Sequence, residues 1–189
     1  MTVYGVLGEA PSDAETVKVL IRRLAGDDRL TVRTKGYQGC GELKRKGAKQ
    51  IDLFAKLNCT RFVVCYDADG PDPTERRAEI DRTVVRPSGQ PASGCCIVIP
   101  VQELEAWILA DIEAVTKVFR GWRPQPIKNP ETIVRPKEHI ERLSTAGASR
   151  PRYSPTMHNA AVARHLDLQR VRRNCPSFMP LVRFVTGKA

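Results

Sequence analysis

The sequence predicts an α/β protein: a three-layer domain with a mainly parallel sheet over residues 1–115, and a helical, basic segment over 116–189 packed on it. Three observations carry this. Short apolar runs rich in β-forming residues alternate four times with stretches of helical spacing, the pattern of a parallel sheet covered by helices. Glycine and proline clusters punctuate each change. Beyond residue 120 no convincing strand recurs, and short helical patterns follow proline-broken connections.

"TVYGVL" (2–7) reads as the first buried strand, and "GEAPSD" as its turn. Ser12 or Asp13 is a candidate cap for a helix over 13–25, in which Val17, Leu20, Ile21 and Leu24 share one face. "LTVRTK" (30–35) is a second strand. A glycine-rich loop leads to a helix over 42–57 with Ile51, Phe54, Ala55 and Leu57 inward. "RFVVCY" (61–66) is the third strand, "DADGPDP" its loop, and 74–85 a charged helix. "CCIVIP" (95–100) is the fourth strand, and 101–119 holds one or two short helices. Further helices are expected at 135–143, 157–166 and 177–186.

At 189 residues, 41% hydrophobic and 28% charged, the chain has the composition of a soluble globular protein. No apolar run approaches the roughly 18 residues that span a bilayer, and the start lacks a signal-peptide pattern, so a cytoplasmic location and no membrane partner are expected. The six cysteines form no C-x-x-C pair and read as reduced thiols. Net charge is +10 and unevenly placed: 16 basic and 13 acidic residues precede position 101, and 15 and 8 follow it. After residue 146 eight basic residues face one acid, Asp167. A basic tail beside an acidic cluster suits an enzyme acting on a phosphate backbone, so nucleic acid is the expected partner. Arg150, Arg152, Arg164, Arg170, Arg172 and Arg173 are the candidate contacts. A cationic surface that serves solubility alone is the competing reading.

Three of the four strands end in acid: Glu9, with Asp13 four residues on; Asp67 and Asp69; Glu103 and Glu105. Ligands of open parallel sheets bind beyond the carboxyl ends of the strands. If these strands are neighbours, six carboxylates meet on one edge, and like charges there repel until a cation joins them. Oxygen donors of this kind suit Mg²⁺ or Mn²⁺. Each has a plainer reading: Glu9 as a helix-terminus charge, Asp13 as a cap, Asp67 and Asp69 as a solvated turn. Glu103 and Glu105 would diverge by about 200° on a helix, so both serve the site only if the segment is extended there or one acts through water. Trp107 reads as core. His158 and His165 lack a third partner for zinc, and a phosphate contact or structural hydrogen bond is the expectation for them. Tyr153 could stack on a base or pack inward. "LKRKGAK" (43–49) reads as a solvated helix face.

A Glu after strand one and an Asp-x-Asp after strand three resemble the TOPRIM domain of type IA and II topoisomerases, DnaG-type primases, small ribosomal-RNA maturases and the overcoming-lysogenization-defect nucleases. Gly8 precedes Glu9 here, where that family has glycine after the glutamate. "DADGPD", "IPVQELEAWILAD" and "YSPTMHNAAVARHLDLQRVRRNCPSF" further resemble a TOPRIM-like bacterial family, domain of unknown function 4276, often encoded beside ATPases in anti-phage or mobile-element loci. The resemblance implies a Mg²⁺- or Mn²⁺-dependent nuclease with Glu9, Asp67 and Asp69 catalytic and Asp13 as a further ligand, to which the strand-end reading adds Glu103 and Glu105. It also implies an ATPase partner of AAA or ABC type; self-association into a homo-oligomer is a separate expectation. A non-catalytic subunit that binds nucleic acid or nucleotide, and an RNA-maturation nuclease, are the alternatives.

Overall fold

A computed structural model describes residues 2–145 and 152–188. Four strands, β1 (Tyr4–Gly8), β2 (Val32–Gly36), β3 (Arg61–Cys65) and β4 (Cys95–Val98), form one all-parallel sheet in the order β2-β1-β3-β4. Strand side chains alternate between two buried faces, as expected when both sides of a sheet are covered. Tyr4, Val6, Val63, Cys65, Cys96 and Val98 join one core; Leu7, Phe62, Val64, Tyr66, Ile97 and Ile99 join the other.

The second face is covered by α2 (Cys40–Lys56) and by α3 (Thr74–Ile80), which continues as a π-helical turn over Asp81–Val85. The first face takes α1 (Pro11–Ala25), α4 (Glu105–Ala110) and the carboxyl-terminal helices α5 (Pro136–Ser144), α6 (Pro155–Ala163), α7 (Leu168–Asn174) and α8 (Met179–Thr186). α6 packs on α1 and α8 on β4, so residues from both sides of position 115 share one core. That position falls inside a 3-10 segment, Ile112–Lys117. Trp107 is fully buried as expected, and its indole N–H donates to Ser177 Oγ at 2.8 Å.

Several boundaries differ from the sequence expectation, each for a local reason. α1 starts at Pro11, so neither Ser12 nor Asp13 is the cap. Asp13 is its third residue, and its Oδ2 accepts the Ala10 N–H at 2.8 Å. The expected helix at 101–119 begins only at Glu105, because Gln102 adopts a left-handed φ of 61° and its N–H bonds to the Gly70 carbonyl. α7 was not expected. Val171 is its one buried residue, and Asp167 caps it by accepting from the Gln169 and Arg170 N–H groups.

Close backbone approach sets the edge where β1 and β2 end. A Cβ on Gly36 would stand 2.2 Å from the Pro11 nitrogen, so the start of α1 lies directly on the end of β2. The six cysteines are free, four of them buried. No helix among the described residues is long and apolar enough to cross a membrane.

Candidate functional site

The strand order answers the question left by the sequence, because β1, β3 and β4 are adjacent and their acidic ends line one edge. Hydrogen bonds then lace those ends together. The Asp67 N–H donates to Glu9 Oε1 at 2.8 Å, tying β3 to β1. The Leu104 N–H donates to Asp67 Oδ1 at 3.0 Å, tying the segment after β4 to β3. Beyond the strands the backbones stay paired: Ala68 N–H to the Pro100 carbonyl and Asp69 N–H to that of Gln102.

Glu103 and Glu105 both reach the edge because the helix has not begun at Glu103. Glu105, 6% exposed, is the inner of the two, and its Oε1 accepts from Asn159 Nδ2 at 2.9 Å. The buried Tyr153 hydroxyl donates in turn to Asn159 Oδ1 at 2.6 Å, and the Tyr153 N–H donates to Ser144 Oγ. Glu103 sits nearer the rim, with Oε2 accepting the Lys137 N–H at the start of α5. Asp69 is exposed, holds a left-handed φ of 51°, and pairs with Arg76 at 3.3 Å. Arg76 also donates to the Tyr66 hydroxyl.

The electrostatics follow from crowding. Burial, then the charges of Asp13, Glu105, Glu9 and Glu103, push the Asp67 carboxyl well above the usual carboxylate range. Burial raises Glu9 to about 7, against the Asp67 hydrogen bond and with help from Asp69 and Asp13. Glu105 is raised to about 7 by burial, the Asn159 hydrogen bond opposing and Asp13 and Glu103 adding to the rise. Asp13 and Glu103 are raised too, burial again leading. Arg76, paired with Asp69, and Lys137 are the basic residues at this edge, against six carboxyls.

The donor set is all oxygen and half-buried, which fits a hard divalent cation such as Mg²⁺ or Mn²⁺. Among the described residues, no group of three or more Asp, Glu, His or Cys side chains is already arranged to hold an ion. One oxygen each of Glu9, Asp67 and Glu105 is committed to the hydrogen bonds above; the second oxygens are the ones a cation would use.

The candidate nucleic-acid contacts do not gather here. Arg150 lies outside the described residues. Arg152 is exposed next to Tyr153. Arg170 pairs with Asp111 at 2.8 Å and with Glu113, which spends its charge inside the fold. Arg164 lines a cavity with Arg22 and Arg23, Arg172 a larger one with Tyr4, Leu30 and Arg61, and Arg173 a third with Lys128. Tyr4 and Arg61 open their strands and Leu30 leads into β2, so Arg164 and Arg172 lie at the amino edge of the sheet. The fifteen residues of α1 span about 22 Å between that edge and the acidic one.

Tyr153, His158, Lys44 and Lys46 take structural roles, and His165 is exposed. Tyr153 is buried rather than open to a base. His158 Nδ1 accepts the Ser154 N–H at 2.9 Å and its ring meets Phe119 edge-on, the structural hydrogen bond of the two expected roles. Lys44 and Lys46 pair with Glu79 and Glu42. Sequence reasoning missed Asn159, Arg76 and Lys137. An asparagine within the apolar stretch "NAAVA" was the available signal for the first, since a polar residue on a core-facing helix needs a partner.

The family model described as a domain of unknown function (DUF4276) matches residues 8–186. The chain belongs to this family. The match takes in every carboxylate of the edge, strands β2, β3 and β4, and the last residue of β1. No curated protein and no solved structure matches the chain.

Proposed function

We propose that this DUF4276 chain is a Mg²⁺- or Mn²⁺-dependent nuclease of TOPRIM type, hydrolysing phosphodiester bonds of DNA or RNA. The observation that supports this best is the meeting of three acidic strand ends on one sheet edge, with the crowded carboxyls of Glu9, Asp67 and Glu105 raised by burial and by one another. A carboxylate cluster that is costly when bare is one arranged for a cation.

Glu9, Asp67 and Asp69 would hold the ion, with Asp13, Glu103 and Glu105 as further or water-linked ligands. The bound ion supplies polarisation of the phosphate and an acidified water. The chain's own groups do the rest. Glu9 would alternatively shuttle the proton of the attacking water in place of holding the ion. Its orientation is fixed by the Asp67 N–H. Asn159, held by Tyr153, keeps Glu105 aimed into the edge. Arg76 and Lys137 are the cations within reach of a phosphate oxygen. Water adds to phosphorus and gives up a proton, one P–O ester bond breaks, and the departing alkoxide takes a proton from bulk water and leaves as a hydroxyl. A role in anti-phage or mobile-element systems beside an ATPase is part of the same proposal, and rests on the family resemblance.

The test is cleavage of plasmid DNA, single-stranded DNA and total RNA with Mn²⁺ or Mg²⁺, comparing wild type with Asp67→Asn. Metal-dependent cleavage lost in the variant supports the reading and names the substrate. Wild-type protein that neither cleaves nor binds Mn²⁺ would overturn it and leave the accessory binding subunit as the better account.

A further inference from the structure

At the edge opposite the carboxylates the structure holds a cavity of about 750 Å³, within the size range of small-ligand sites. Three arginines line it, Arg23 from the end of α1, Arg61 from the start of β3 and Arg172 from α7. None of them is in an ion pair with a described residue. The one carboxylate in the lining, Asp27, already accepts the Arg29 N–H. The guanidinium of Arg61 lies 3.9 Å over the Phe184 ring and donates to the Phe184 carbonyl, which fixes its plane. Its Nε–H is buried and has no hydrogen-bond partner among the described residues. Arg23 is also fixed, donating to the Ala163 carbonyl at 2.8 Å.

Arg23 and Arg61 are each fixed by one backbone carbonyl, and their remaining guanidinium N–H groups have no acceptor among the described residues. Planar guanidinium forks match the oxygens of a phosphate and bind them through paired hydrogen bonds. Leu24, Val182 and Val185 give the same cavity an apolar side that a ring or other flat group could cover. We infer that this cavity binds a terminal phosphate monoester carried on a nucleotide-sized group, with Arg23, Arg61 and Arg172 as its anion-binding residues. The ligand is either a free mononucleotide or the phosphorylated end of a nucleic-acid strand. This site does not depend on the nuclease reading, because no residue is shared between the two edges.

Isothermal titration in EDTA, which keeps the acidic edge bare, tests it with four probes: adenosine 5′-monophosphate, adenosine, a 5′-phosphorylated hexanucleotide and the same hexanucleotide without its phosphate. Saturable binding of a phosphorylated probe is expected, weakened tenfold or more by Arg172→Ala. Arg61→Lys keeps the charge but removes the planar guanidinium fork, and should weaken binding severalfold. Arg45→Ala, an exposed arginine on the far face of the sheet, should leave it unchanged. Preference for the mononucleotide identifies a free small ligand, and preference for the phosphorylated strand identifies a nucleic-acid end. Absence of saturable binding to both phosphorylated probes, equal binding of the unphosphorylated strand, or affinity untouched by both Arg172→Ala and Arg61→Lys would overturn the assignment.

Discussion

Replacing Glu105 by glutamine should make the metal-free protein more stable, and only above a definite pH. The side chain is 6% exposed, and burial raises its carboxyl from an ordinary 4.5 to about 7. Below pH 4.5 the carboxyl is protonated folded or unfolded, and glutamate and glutamine differ little. As pH rises through 4.5 the unfolded chain ionises while the folded group holds its proton, so wild-type stability falls until pH 7 and stays low above it. The interval corresponds to about 3 kcal/mol at roughly 1.4 kcal/mol per unit. Glutamine cannot titrate, and its amide oxygen can still accept from Asn159. Thermal melts in EDTA at pH 4.5 and pH 8 measure the effect. For a chain of this length the gap at pH 8 should be roughly 6–10 °C in favour of Glu105→Gln, and near zero at pH 4.5. A variant less stable than wild type at pH 8, or a gap equal at both pH values, would refute the claim that crowded, buried charge dominates this edge.

Glu9→Gln should lower metal-dependent cleavage by roughly 10²–10⁴-fold, the usual worth of a general base, as read by plasmid nicking against time. Asn159→Ala should weaken Mn²⁺ binding by roughly ten- to a hundredfold in a calorimetric titration, because it frees Glu105 without touching the ion. Gly36→Ala forces a Cβ to within 2.2 Å of the Pro11 nitrogen, where only backbone can give way; chemical denaturation should show a loss toward the upper end of about 1–3 kcal/mol. Arg170→Ala leaves Asp111, 6% exposed, without its cation, and should cost about 1–3 kcal/mol in the same assay.

Much of the sheet was legible because its signals are local. "RFVVC" is an apolar run of strand length, bounded by a turn on each side, and β3 spans it. The acids at the strand ends were visible for the same reason. Their convergence was conditional, since strand order depends on contacts between segments some 30 to 60 positions apart that no spacing encodes. Asn159 and Tyr153 stayed hidden likewise: they serve Glu105 across more than 40 residues of chain. α7 escaped because one buried residue, Val171, makes no periodic stripe. The arginines mark the other gap. A basic excess along the chain says how much charge the tail carries, but Arg170 turns to Asp111 and Arg172 to the amino edge of the sheet, and only folding decides which way each points.

The hydrogen bonds from Asp67 and Leu104 to carboxylates one strand away turn two backbone amides into reporters. Each N–H senses the charge on the oxygen it touches, so its NMR shift records when that carboxyl gains a proton or a cation. Followed together through a pH titration and then a Mn²⁺-free Mg²⁺ titration, the pair would show whether the edge fills one group at a time or all at once. The same wiring makes alanine a blunt tool here. Cutting Glu9 to Ala strands the Asp67 amide and loosens β3 from β1, whereas glutamine leaves the fastener in place and removes the charge alone.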